Sequence, residues 1–135
     1  MKAIKIYVFL FSLVVFGSGA TLAQRPAGYS KLVTENIVES LQHDVDGVVE
    51  ATIYNSLFLS KYYPDAQIGD VLDELNEIAV NSKNPTIRYK AQLAVLYLTN
   101  YGNENLDLKN YKEDQSELFR EISQRLQSSL LVSSK

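Results

Sequence analysis

The stretch "NPTIRYKAQLAVLYLTN", Asn84 to Asn100, opens as a helix and then turns apolar on nearly every side. Asn84 is a residue type that caps a helix N-terminus. Pro85 costs nothing at the first helical position, where its missing N–H would be unpaired anyway. On a helical wheel Ile87, Ala91, Ala94, Val95 and Leu98 share one face, while Tyr89, Leu93 and Leu96 point the opposite way. Ala91 and Ala94 are small enough to let a neighbouring helix come close. A helix with two apolar faces is either sandwiched between layers or offers a stripe to a partner.

Helical periodicity runs through the rest of the chain. Val33, Ile37 and Leu41 stand four apart and predict a first helix over 31–43. Val49, Ile53, Ser56, Leu57 and Ser60 predict a second over 46–62, ended by Pro64. Ile68, Val71, Leu72, Leu75, Ile78 and Ala79 mark a third, and Asn84 opens the fourth. Leu118, Phe119, Ile122, Leu126 and Leu130 predict a fifth over 114–131. The Asn-rich segment 101–115 reads as an irregular loop. No alternating strand pattern stands out, so the fold class is all-α.

A shift of 38 residues lays the first two helices on the third and fourth. Val33 falls on Val71, Ile37 on Leu75, Asp46 on Asn84, Val49 on Ile87, Ser56 on Ala94 and Phe58 on Leu96. A helix pair recurring at about 40 residues is the period of an α-solenoid.

Asn84, Pro85, Ile87, Arg88, Ala91, Ala94, Val95 and Leu98 together resemble the second helix of a HEAT-type repeat: Asp-Pro, a β-branched residue and Arg, then Ala, Ala-Leu and Leu. In the first unit Asp46 and Val49 fit. Gly47 stands in place of the proline, Glu50 of the arginine and Ser56 of an alanine. The resemblance covers about 75 residues, or two units. It implies a stack of two helix pairs closed by a C-terminal helix, and it says almost nothing about function, because such repeats serve many settings.

At the N-terminus Lys2 and Lys5 precede an apolar run from Ile6 to Phe16, then small residues and "TLAQ". This is the pattern of a bacterial-type signal peptide over 1–23, with cleavage between Ala23 and Gln24. The run falls short of the roughly 20 residues of a comfortable membrane span. A short tail, 24–30, then leads into one domain, 31–135, and the product is expected in the periplasm or outside the cell. Without Lys2 and Lys5 the chain carries 11 basic and 16 acidic residues, a net charge of −5. That balance argues against nucleic acid and against an anionic membrane face as partners. Cysteine is absent, so stability must come from packing rather than disulfides.

Catalytic signals are poor. His43 is the one histidine, and no nucleophile elbow, phosphate loop or His-Glu-x-x-His motif occurs. "HDVDG", 43–47, places His43, Asp44 and Asp46 together, but it lacks the remaining ligands of a calcium loop. It reads better as a turn with Asp46 as helix cap. Asp73 with Glu77, and Glu117 with Glu121, read as solvated helix faces. Arg88 and Glu50 occupy equivalent places and are expected to pair. Neither a metal nor a cofactor is implied.

The function expected is non-enzymatic docking of a protein or peptide. Its candidate surface is Phe58, Tyr62, Tyr89, Leu93 and Leu96, which share a wheel position across the 38-residue shift. Tyrosine suits such a surface because it joins a large apolar area to a polar tip. The alternative is a carrier of a small apolar ligand, with a cavity between the second-helix layer and the 101–115 loop.

Overall fold

The structure, a computed structural model, describes residues 26–100 and 106–134. The leader, its cleavage point at Ala23 and Gln24, and the first five residues of the 101–115 loop lie outside the described residues. Those described are all-α: six α-helices and one short 3-10 turn, with no strand among them. α1 runs Tyr29–Leu41, α2 Asp46–Ser56, α3 Leu59–Tyr62, α4 Gly69–Asn81, α5 Pro85–Asn100 and α6 Gln115–Ser133. The 3-10 turn is Leu108–Tyr111.

Each long helix buries the stripe its sequence offers. Val33, Ile37 and Leu41 of α1 and Val71, Leu75 and Ile78 of α4 stand three or four residues apart and enter one common core. α1 packs on α2 and α4. α5 packs on α2, α4 and α6, and so is the helix with most neighbours to satisfy. That explains its composition: Ile87, Ala91, Leu93, Ala94, Tyr97 and Leu98 are all buried, on more than one side. Ala91 and Ala94 are fully buried, as small residues at close helix contacts should be.

The second predicted helix is broken. The chain leaves α2 at Ser56, passes through Leu57 and Phe58, and resumes as the single turn of α3. Leu57 and Phe58 donate to the carbonyls of Tyr54 and Asn55, three residues back, so the coil tightens locally to 3-10 pitch. The Ser56 hydroxyl donates to the Ile53 carbonyl at 2.6 Å, competing with the regular ladder. Leu57, Phe58 and Leu59 are all buried, and three consecutive residues cannot share one face of a regular helix.

The two helix starts differ in chemistry. Asn84 Oδ1 accepts from the N–H of Thr86 at 3.0 Å and of Ile87 at 3.4 Å, an N-cap with Pro85 behind it. Asp46, expected to cap α2, is instead its first helical residue. Val45 precedes it in extended conformation, and no side chain caps that end. Asp46 Oδ2 accepts a 3.1 Å hydrogen bond from Asn84 Nδ2, so the two helix starts touch. At α6 a side chain does cap: Asp114 Oδ1 accepts from Glu117 N–H at 3.1 Å.

Arg88 does not pair with Glu50. Its Nη1 donates to the Ser82 carbonyl at 2.6 Å, tying α5 to the end of α4. Glu50 is taken by Lys90, which is buried and also lies over the Phe119 ring, 5.3 Å from its centroid. Residue 90 sits two positions, about 200°, further round the wheel from residue 88. Lys90 therefore points across to α2 while Arg88 points back to the α4–α5 turn.

Candidate docking surface

The five residues singled out as one surface divide into two groups. Phe58 and Leu93 are buried and belong to the core. Tyr62 is half-buried and packs against it. Tyr89 is 49% exposed and Leu96 39%. On α5 these two stand seven residues apart, two turns, with exposed Gln92 and Thr99 on the same stripe. The surface free for a partner on this helix is thus Tyr89, Gln92, Leu96 and Thr99. The positions that define the repeat mostly face inward: Val49, Ile87, Ala91 and Ala94 are buried, and Arg88 is half-buried.

Phe58 lies between the rings of Tyr54 and Tyr62, and the segment expected to be an irregular loop reaches this group through Tyr54. Leu106 and Leu108 are buried, and the Tyr54 hydroxyl donates to the Leu108 carbonyl at 3.0 Å. Tyr54 meets Phe58 edge-on at 5.2 Å, and Phe58 stacks on Tyr62 at 5.7 Å with 20° between the planes. Burial pushes the Tyr54 hydroxyl above its usual pKa, and the neighbouring Tyr62 adds to the shift. The 3-10 turn also brings Lys109 over the Tyr62 ring at 5.3 Å, where Lys61 lies at 5.9 Å. The sequence signal for this closure is the i, i+2 pair Leu106 and Leu108, set in an otherwise polar stretch.

Two clefts lie elsewhere. One, of about 250 Å³, opens between the helix pairs and is lined by Leu41, His43, Asp46, Glu77 and Ile87 among others. The other, of about 670 Å³, opens beside the start of α1 and is lined by Tyr29, Lys31, Glu35, Asp65 and Asp70 among others. Neither touches Phe58, Leu93 or Leu96. His43 serves its turn: Nδ1 accepts from the Val45 N–H at 3.1 Å. Among the described residues no three His, Asp or Glu side chains form a group that could hold a metal ion. Among them, too, no helix is long and apolar enough to cross a membrane.

No family model, curated protein or solved structure matches this chain.

Proposed function

We propose that the chain is an exported, non-enzymatic helical-repeat module that docks another protein or a peptide. Its frame is two HEAT-like helix pairs, α1–α2 and α4–α5, closed by α6. The observation that carries the docking reading is the outer stripe of α5, where Tyr89 and Leu96 remain exposed on a helix otherwise packed on several sides. An apolar and aromatic stripe rimmed by polar residues such as Gln92 and Thr99 has the composition of a recognition surface.

The paired frame is supported by the bond between Asp46 and Asn84. These residues are separated by 38 positions, the same interval as the sequence repeat. Contacts of α1 with α4 and of α2 with α5 fit the same arrangement. The carrier alternative has less in its favour, because Tyr54, Phe58, Leu106 and Leu108 fill the region where its cavity was expected.

Leu96→Asp tests the docking reading. The stripe is open to water, so the variant should melt close to the parent and lose capture of the partner from a periplasmic extract. A folded variant that captures the same partner as well as the parent would sink the reading. Export is tested separately, by the N-terminal mass of the released protein, which should begin at Gln24.

A further inference from the structure

We propose that Lys61 and Lys109, gathered on the Tyr62 ring, form a docking site for an acidic segment of a partner protein. The inference rests on the docking reading and adds to it the chemistry of the partner. It uses residues other than those of the outer stripe of α5.

Lys61 belongs to α3 and Lys109 to the 3-10 turn, in opposite halves of the chain. Their ammonium groups lie 5.9 and 5.3 Å from the centroid of one ring, so they are at most about 11 Å apart. Both lysines are exposed. Most other cations have oxygen partners: Lys31 with Glu35, Lys90 with Glu50, Arg120 with Glu117, Arg125 with Glu121, and Arg88 with the Ser82 carbonyl. Among the described residues the ammonium groups of Lys61 and Lys109 have no carboxylate partner and share the ring, although the Asp107 carboxylate stands close by and accepts from the Lys109 backbone N–H at 3.3 Å.

Their position is also preset. Tyr62 is stacked on Phe58, Phe58 meets Tyr54, and the Tyr54 hydroxyl holds the Leu108 carbonyl, next to Lys109. A continuous line of contacts therefore fixes the backbones that carry both charges. Less ordering remains to be done when an anion arrives.

The charge of the whole chain selects the kind of anion. Beyond the leader the net charge is −5, a field that opposes extended polyanions such as nucleic acid or an anionic bilayer. A short segment with two carboxylates meets the two ammoniums without spreading negative charge over the acidic remainder. In an extended chain, rising about 3.3 Å per residue, carboxylates two to three residues apart span the available distance.

The test is fluorescence anisotropy with a labelled, C-terminally amidated glycine nonapeptide carrying two Glu three residues apart, titrated with the exported chain as isolated. Saturable binding is expected. It should weaken about tenfold in the double variant Lys61→Glu/Lys109→Glu and less in Lys61→Gln/Lys109→Gln, with melting unchanged. Lys83→Glu is the control, because Lys83 lies in the α4–α5 turn beside the start of α2, while Lys61 lies beyond its far end. Absence of saturable binding, or an equal loss in Lys83→Glu, overturns the proposal. So does tighter, equally lysine-dependent binding to phosphatidylglycerol vesicles, which would assign the site to a membrane. Leu96→Asp separates the two readings. If it abolishes partner capture while the acidic peptide fails to bind the parent, the docking reading stands and this one falls. If the peptide binds through the lysines and Leu96→Asp changes no capture, the α5 stripe falls and this site stands.

Discussion

Phe58 and Leu96 fall on each other in the 38-residue shift of the sequence, yet one is 7% exposed and the other 39%. The repeat sets the direction of a side chain. It does not set what lies in front of it. At Phe58 the rings of Tyr54 and Tyr62 stand against the side chain, Tyr54 is tied to the Leu108 carbonyl, and the helix itself breaks to bury Leu57, Phe58 and Leu59 together. In the second unit α5 runs unbroken for 16 residues, and its outer stripe stays open. Which helix face stays open is therefore decided by what packs in front of it.

The sharpest way to break this comparison is to place the same charge at both sites. Phe58→Asp buries a carboxylate with no partner and should cost several kcal/mol, on the order of 4 or enough to unfold the domain. Leu96→Asp should stay within about 1 kcal/mol of the parent in a urea melt, because water solvates the new group. Equal losses at both positions would mean that the outer stripe of α5 is covered in solution, and the division into closed and open units would be lost.

A second test addresses the inner face, where the units should agree. Ala94 is fully buried, and its counterpart Ser56 is too. Ala94→Leu adds three carbons to a close helix contact and should cost about 1–3 kcal/mol. A thermal melt that matches the parent would show room there that the packing does not provide.

Tyr54 sharpens the comparison from the covering side. Tyr54→Phe keeps the ring contacts with Phe58 but leaves the buried Leu108 carbonyl without its donor, an expected loss of about 1–2 kcal/mol near neutral pH. Its pH dependence is distinctive. Burial, with Tyr62 second, raises the hydroxyl's pKa in the folded chain above its unfolded value of 10.0. The unfolded chain therefore ionises first. The stability attached to this group is fully present below pH 10.0 and is lost as pH rises through the folded pKa. Urea melts carried from neutral pH to above pH 10.0 should fall more steeply for the parent than for Tyr54→Phe, the divergence opening only above pH 10.0. Parallel slopes would remove Tyr54 from the closure.

The fold was legible where the cause is local, and the candidate surface only where nothing distant intervenes. Asn84–Pro85 and the three- and four-residue spacing of Val71, Leu75 and Ile78 specify helices by short-range chemistry. The break after Ser56 was less visible, because Leu57, Phe58 and Leu59 also fit a longer helix. Their neighbour Tyr54 is bonded to the 3-10 turn far along the chain, which no local pattern announces. Leu106 and Leu108 were hidden by Asn, Asp and Lys neighbours. Lys90 was hidden by its own chemistry: a long stem can lie in a core if its ammonium finds Glu50 and the Phe119 face, and no local pattern announces either. Of the five surface candidates, the wheel could assign a direction to each. It could not tell that Phe58 and Leu93 would be covered.

The smallest expected difference lies at the helix starts, where the two units look most alike on paper. Asp46 and Asn84 fall on each other in the repeat and are bonded to each other in the fold, but only Asn84 caps. Asn84→Ala removes acceptors for the N–H of Thr86 and Ile87 along with the bond to Asp46, and should cost about 1 kcal/mol. Asp46→Ala removes only one exposed hydrogen bond and a favourable charge at the first turn of α2, so a few tenths of a kcal/mol are expected. The double variant decides how far the two ends are coupled. If the shared bond matters, the combined loss falls short of the sum of the single losses, since each single change has already broken that bond. Strict additivity in paired urea melts would mean that the contact between the units is incidental and that Asn84 acts on α5 alone.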